Sequence, residues 1–358
     1  MMRTVNLQLP LACHTPRSTR YSSRASLRLK CSASSSATDK YKPDWAGDDF
    51  LSKVVNSAIN FKPLYEGVMK PMARNTLINT AEKNGVSWMG NVEKLEATPE
   101  VYEKFEEIKD GAVEYPDYYE VPFHAYSEGN LCWQAAFEAE PATYSMALRV
   151  WPKEEIAWDA AQDRLRNSYT DCIVQHVEKY GLQQPKSIVD AGCSVGISTR
   201  AIHDVFPEAN ILGLDLSPYM LAVAAHRDET QFPTPGSGTR QWKHGLAEAT
   251  GLPDSSTDLV SLAFMCHELP TAATRAVVKE AARILRPGGV LVLCDNNPKS
   301  PVIQNLPPVL FTLMKSTEPY SDEYYLLDFE ALLVEQGFGD VHTEPSDPRH
   351  RTVLGTRI

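Results

Sequence analysis

From Ser187 onward the chain alternates short apolar runs with stretches of helical spacing. Residues 187–190 are apolar and partly β-branched, and residues 197–205 follow with helix-like periodicity. The same alternation predicts strands over 210–215, 240–244, 259–265 and 290–294, with helices over 218–226 and 271–285. In the last helix Val277, Val278, Ala281, Ile284 and Leu285 share one side, and Pro287-Gly288-Gly289 is placed to stop it. Residues 232–239, rich in proline and glycine, read as a loop. Right-handed crossovers between such units give a mostly parallel sheet with helices on both faces, a Rossmann-like, doubly wound α/β fold.

The preceding part of the chain has a different pattern. Residues 154–180 read as one long amphipathic helix, with Ile156, Ala160, Leu165, Tyr169, Ile173 and Val177 on one side and Gly181 at its end. Residues 41–125 show no strand alternation. Apolar spacing there predicts helices over 49–69, 72–83 and 98–109. Between them and the long helix lies an aromatic stretch, residues 115–133. It reads either as a packing surface or as a lid over an acceptor site, in which His124, Tyr126, Asn130 and Trp133 would be the polar and stacking groups. The expected organisation is a segment 1–38, a helical and aromatic extension 39–150, and a sheet domain 151–358. In the tail, residues 296–325 are irregular. Val309, Leu310, Phe311, Leu313 and Met314 read either as cover for a hydrophobic acceptor or membrane surface, or as a packed cap. Residues 328–336 predict a last helix.

Charge narrows the partners. The formal net charge is −11 over 358 residues. Residues 1–38 hold Arg3, Arg17, Arg20, Arg24, Arg28 and Lys30 and no acid, so the remainder is more acidic still. A body of that sign repels phosphate backbones, and no nucleic-acid partner is expected. An Arg- and Ser-rich, acid-free start has the composition of a transit peptide, here of the chloroplast rather than the mitochondrial kind. No run reaches the length of a transmembrane span. The cysteines are scattered and lack C-x-x-C spacing, which indicates neither a disulfide framework nor a metal site.

The chemistry centres on KSIVDAGCSVGISTR, Lys186 to Arg200. A strand turns through small residues into a helix, which lets a ligand approach bare backbone. The glycines are spaced G-x-x-x-G, not G-x-G-x-x-G, and Asp190 stands two residues before the first. That suits a ligand with a cationic end and no phosphate. The motif D-x-G-x-S-x-G resembles motif I of the class I S-adenosylmethionine (SAM) methyltransferases, with Ser194 where the middle glycine usually stands. Gly213-Leu214-Asp215 ends the second strand. Gly245, Ala247, Glu248, Pro253, Asp254, Ser256 and Asp258 are similar to the family's G-D-A-E-x-L-P-F-x-D-x-S-F-D run, and Arg286-Pro287-Gly288-Gly289 completes the set over about residues 178–298.

The resemblance, nearest to the ubiquinone/menaquinone-biosynthesis C-methyltransferase type, implies a seven-stranded sheet closed by antiparallel strands near 341–343 and 352–356. It implies SAM as cofactor. Asp190 would lie near the methionine part, with Gly192, Ser194 and Gly196 making room for it. Asp215, with Leu216 beside it, would hold the ribose. An acid at the end of the second strand also reads as a cap of the next helix. Leu246, Ala247 and Glu248 would meet the adenine, with Leu246 replacing the acid usual there. His267 in the loop after the fourth strand would remove a proton from the acceptor, oriented by Glu268, or would only line the SAM pocket or cap the next helix. The implied activity is methyl transfer to a small, hydrophobic, phenolic or quinone-like acceptor in the plastid. A SAM-fold binding or assembly protein without turnover is the second reading.

Overall fold

The computed structural model describes residues 70–124, 126–306 and 317–358, all within one compact unit, Lys40–Ile358. The expected helix over 49–69, the segment 1–38 and the apolar tail residues Val309 to Met314 lie outside the described residues.

The N-terminal extension begins with helices α1 (Lys70–Lys83), α2 (Trp88–Glu96) and α3 (Pro99–Ile108), the last started by Pro99 in its first turn. After the aromatic segment come α4 (Trp133–Leu148) and α5 (Trp158–Lys179). The sequence reading missed α4, which carries Pro141 and the buried acids Glu138 and Glu140. Helix α5 begins at Trp158 rather than at residue 154.

Strands and helices then alternate as expected: β1 (Ser187–Ala191), α6 (Ile197–Val205), β2 (Asn210–Asp215), α7 (Pro218–Thr230), β3 (Arg240–His244), β4 (Thr257–Ala263), a 3-10 turn over Cys266–Glu268, α8 (Thr271–Ile284) and β5 (Leu285–Asn296). The chain closes with α9 (Pro301–Gln304), α10 (Ser321–Leu326), α11 (Phe329–Glu335), β6 (Phe338–Pro345) and β7 (His350–Arg357). The sheet order is β3-β2-β1-β4-β5-β7-β6, with β7 antiparallel to both neighbours. Strand β4 lies two residues earlier than expected, because Phe264 has φ 58° and breaks the extended run. Strand β5 starts at Leu285 and takes in the Pro-Gly-Gly, with the β4–β5 register shifting between Thr257 and Leu259.

Both sheet faces are covered. On one side β1, β4 and β5 pack against Val277, Val278 and Ala281 of α8 and Leu332 of α11. On the other, Tyr169, Ile173 and Val177 of α5 and Ile202 of α6 cover Ile188, Ile211 and Val292. The extension docks on α7 through Leu95, Val101, Phe105 and Phe137 against Met220 and Val223. Strand order reverses between β1 and β4, so the loops after β1, β2, β4 and β5 surround one crevice.

Candidate functional site

The crevice is built from the β1 loop upward. The N–H groups of Gly192 and Cys193 both donate to the Leu214 carbonyl, at 2.8 and 3.2 Å, which ties the turn to β2. Gly192, Ser194 and Gly196 all have positive φ, at 70°, 50° and 81°. A Cβ on Gly192 would meet the Met265 thioether, and one on Gly196 would meet the Trp242 indole. These glycines therefore admit side chains of β3 and of the turn after β4, as well as leaving the backbone bare.

Asp215 is the acid that faces this turn. Its Oδ2 accepts the Ser194 N–H at 2.7 Å and its Oδ1 accepts the Ser217 N–H at 2.8 Å. The Tyr119 hydroxyl faces it. Burial raises its carboxyl to about 6 against the two backbone donors and the Tyr119 phenol. Leu216, next to it, is buried. Ser217 meanwhile caps α7, its hydroxyl accepting the Met220 N–H at 3.3 Å and donating to the Asn130 carbonyl at 2.6 Å. The cap role falls to Ser217, and Asp215 turns to the loop.

Asp190 points elsewhere. It is fully buried, and its carboxylate accepts from Ser198 at 2.8 Å, Thr199 at 2.6 Å and Ser261 at 2.7 Å. Asp190, expected near the methionine part, locks β1 to the first turn of α6 and to β4. Of the adenine-side residues, Glu248 accepts from the Tyr118 hydroxyl. Leu246 bridges to Ala249, and Ala247 packs partly buried against the core.

At the opposite end stand His267 and Glu268. Asp295, at the end of β5, receives the His267 Nδ1 proton at 2.8 Å and its backbone N–H at 3.0 Å. The orienting acid is thus Asp295, not Glu268 as expected. Glu268 instead accepts from Asn130 Nδ2 at 3.2 Å and lies 3.7 Å from His124 Nε2. Burial works to lower His267, but Asp295, Glu318 and Glu268 outweigh it and hold the imidazole at about 10. In neutral solution it carries its proton, the wrong state for a base. Burial lifts Glu268 to about 8.

Of the four residues expected from the aromatic stretch, two reach the site. His124 and Asn130 line it. Tyr126 instead donates to Glu138 at 2.7 Å, and Trp133 packs with Tyr102, Phe105, Phe137 and Tyr219. Sequence reasoning missed Tyr118, Tyr119 and Asp295. The parallel pairing of Ala263 with Cys294 is the signal that could have found Asp295, since it places the end of β5 beside the turn that follows β4.

The switch-point crevice and its glycine turn belong to a Rossmann-like, doubly wound α/β fold. Residues 189–293 match the family model described as a methyltransferase domain. The chain is 35% identical over 138 residues to a trans-aconitate 2-methyltransferase of Methylobacterium nodulans, covering 38% of this chain and 48% of that one. It is 35% identical over 111 residues to a malonyl-[acyl-carrier protein] O-methyltransferase of Hahella chejuensis, covering 30% and 36%. It is 30% identical over 122 residues to a demethylmenaquinone methyltransferase of Geobacillus stearothermophilus, covering 34% and 50%. The chain thus spans half or less of the length of these relatives. A SAM-dependent methyltransferase structure from Aquifex aeolicus superposes with a TM-score of 0.40 at 17% identity, covering 54% of this chain and 93% of that one.

Proposed function

We propose that this chain transfers the methyl group of SAM to a small acceptor, hydrophobic, phenolic or quinone-like, in the plastid. The observation that carries the reading is Asp215, a carboxylate held by two backbone N–H groups at the junction of the β1 turn and β2. It is placed to accept from a ribose diol. The donor set fits a cationic nucleoside. Asp215 and Glu248 are acceptors, and Arg200, the cation beside Gly196, is already paired with Glu140 and Asp228.

When bound, SAM supplies an electrophilic methyl on a sulfonium leaving group. The chain's own residues bind and place. Asp215 and the β1 turn hold the nucleoside end, and Asn130 and His124 shape the acceptor end with Glu268. Tyr115, Tyr118 and Tyr119 form an aromatic wall whose hydroxyls lie at His244, Glu248 and Asp215. Transfer then depends on alignment of acceptor and methyl group more than on a base. The relatives' names share methyl transfer and differ in acceptor, so the acceptor class rests on this aromatic wall. The plastid address rests on the composition of residues 1–38.

The test is transfer of tritiated methyl from SAM into plastid lipid and phenolic extracts. Label in a small molecule supports the reading. Tight SAM binding with no labelled product in any extract points instead to a binding protein without turnover.

A further inference from the structure

We propose that the acceptor end of the crevice holds a divalent transition-metal ion between His124, His267 and Glu318. Each offers one ligand atom, and these atoms lie within 4.8 Å of one another. Bond lengths of about 2.0–2.2 Å to nitrogen and carboxylate oxygen are reached from that spread by small side-chain rotations.

Three separate segments bring the groups together. His124 comes from the aromatic segment, His267 from the 3-10 turn after β4, and Glu318 from just before α10. The His124 backbone N–H donates to the Thr317 carbonyl at 3.1 Å, which fixes the first segment beside the third.

A second observation is the state of His267. Asp295 takes its Nδ1 proton at 2.8 Å and is itself held by the N–H groups of His267 and Asn296. With Nδ1 held by Asp295, Nε2 is the nitrogen that faces a ligand, and a metal ion displaces the proton it carries, in the carboxylate–histidine arrangement that supports metal-bound imidazoles. A further carboxylate is at hand, because Glu268 Oε1 lies 3.7 Å from His124 Nε2. The His124 side chain keeps 39% of its surface exposed and Glu268 22%, so an ion and an acceptor both have a path in.

Two imidazoles with carboxylates select a zinc-like ion over magnesium or calcium, which prefer oxygen alone. Within the methyl-transfer reading, on which this step rests, the ion's open position takes the acceptor's hydroxyl oxygen and lowers its pKa. The hydroxyl proton leaves to water, the oxygen bonds to the methyl carbon, and the carbon–sulfur electrons stay on sulfur. Such a site removes the need for His267 as a base.

Metal binding is tested apart from turnover. Chelator-treated full-length protein is titrated with Zn2+ by calorimetry and with Co2+ by visible absorption. One equivalent of each, with the intense ligand-field bands of a four-coordinate nitrogen-containing site, is expected. Asp295→Asn weakens Zn2+ about 10–100-fold, and H124A/E318Q weakens it further still. Thermal melting establishes that the variants fold, and the Co2+ spectrum of the unaltered protein stands without them. Sub-stoichiometric binding, or equal affinity in folded H124A/E318Q, overturns the proposal. SAM titration of the same samples separates the two readings: Zn2+ binding without SAM binding defeats methyl transfer alone, and the reverse defeats the metal alone.

Discussion

Asp215 gives the sharpest residue-scale expectations. Its carboxyl titrates near 6 because burial opposes its charge. Tyr119 from the aromatic segment, Asp190 on β1 and Glu268 after β4 face it electrostatically. Ribose binding needs the ionised form, so SAM affinity falls as pH drops through 6. The fold responds with the opposite sign. An acid whose folded pKa lies above its unfolded value stabilises the protein on protonation, so this group makes the fold more stable as pH falls from 7 toward 4. Calorimetric affinity and melting temperature measured over that range should move in opposite directions. If both fall together, the loss is unfolding and not Asp215. Asp215→Asn should weaken SAM about 10–100-fold, the loss of one charge-assisted hydrogen bond or two weaker ones, and flatten the pH dependence.

Tyr119 tests the same carboxylate from the other side. A carboxylate has about four lone-pair sites; the Ser194 and Ser217 N–H groups occupy two, and the Tyr119 hydroxyl faces the rest. A ribose diol needs two, so Tyr119 must give way. Tyr119→Phe should tighten SAM by up to about tenfold, the net value of one hydrogen bond. Weaker binding in that variant would mean that the tyrosine stays on Asp215 beside the nucleoside. Asp190 shows where reading side chains from sequence stops. Its place at the end of β1 was legible from the motif. Its direction was not, because the decisive hydroxyls are Ser198 and Thr199 a turn away and Ser261 on another strand.

At the scale of elements, β1, β2, β4 and β5 were legible because each is largely buried and carries a short apolar run, whereas β3, Arg240–His244 at the sheet edge, is polar and only partly buried. Helix α4 was not. Its pattern is interrupted by Pro141 and by acids that look like solvent-facing positions. Those acids are inside. Glu140 pairs with Arg227 at 2.7 Å and Arg200 at 3.4 Å, and Glu138 pairs with Arg74. Arg200 continues to Asp228, which Arg240 holds at 2.8 Å. The network runs from α4 through α6 and α7 to β3, between residues far apart in the chain, so local periodicity carries no trace of it. Removing Glu140 leaves the buried Arg227 without its carboxylate and Arg200 with Asp228 alone. Glu140→Ala should cost about 3–5 kcal/mol in urea unfolding. A cost below about 1 kcal/mol would place the network in solvent instead, where such pairs contribute little.

At the scale of the whole molecule the question is whether the helical extension and the sheet domain are separable. The sequence suggested a boundary near residue 150, where the pattern changes from helices to alternation. The packing runs across it. Phe105, Phe137 and Leu95 share one apolar cluster with Met220 and Val223 of α7. Ala147 and Trp151 share another with Leu165 of α5. The crevice is completed by the aromatic segment as well, through Tyr118, Tyr119 and Asn130. A protein beginning at residue 151 would expose the α7 face and strip Glu140 from two buried arginines. It should therefore bind a hydrophobic dye and lose its sharp thermal transition, while the full chain unfolds in one calorimetric step whose enthalpy matches the van't Hoff value. Two resolved transitions in the full chain, or a cooperatively folded 151–358 fragment, would mean that the extension is an independent cover. Its tyrosines would then regulate access to the crevice rather than form its wall.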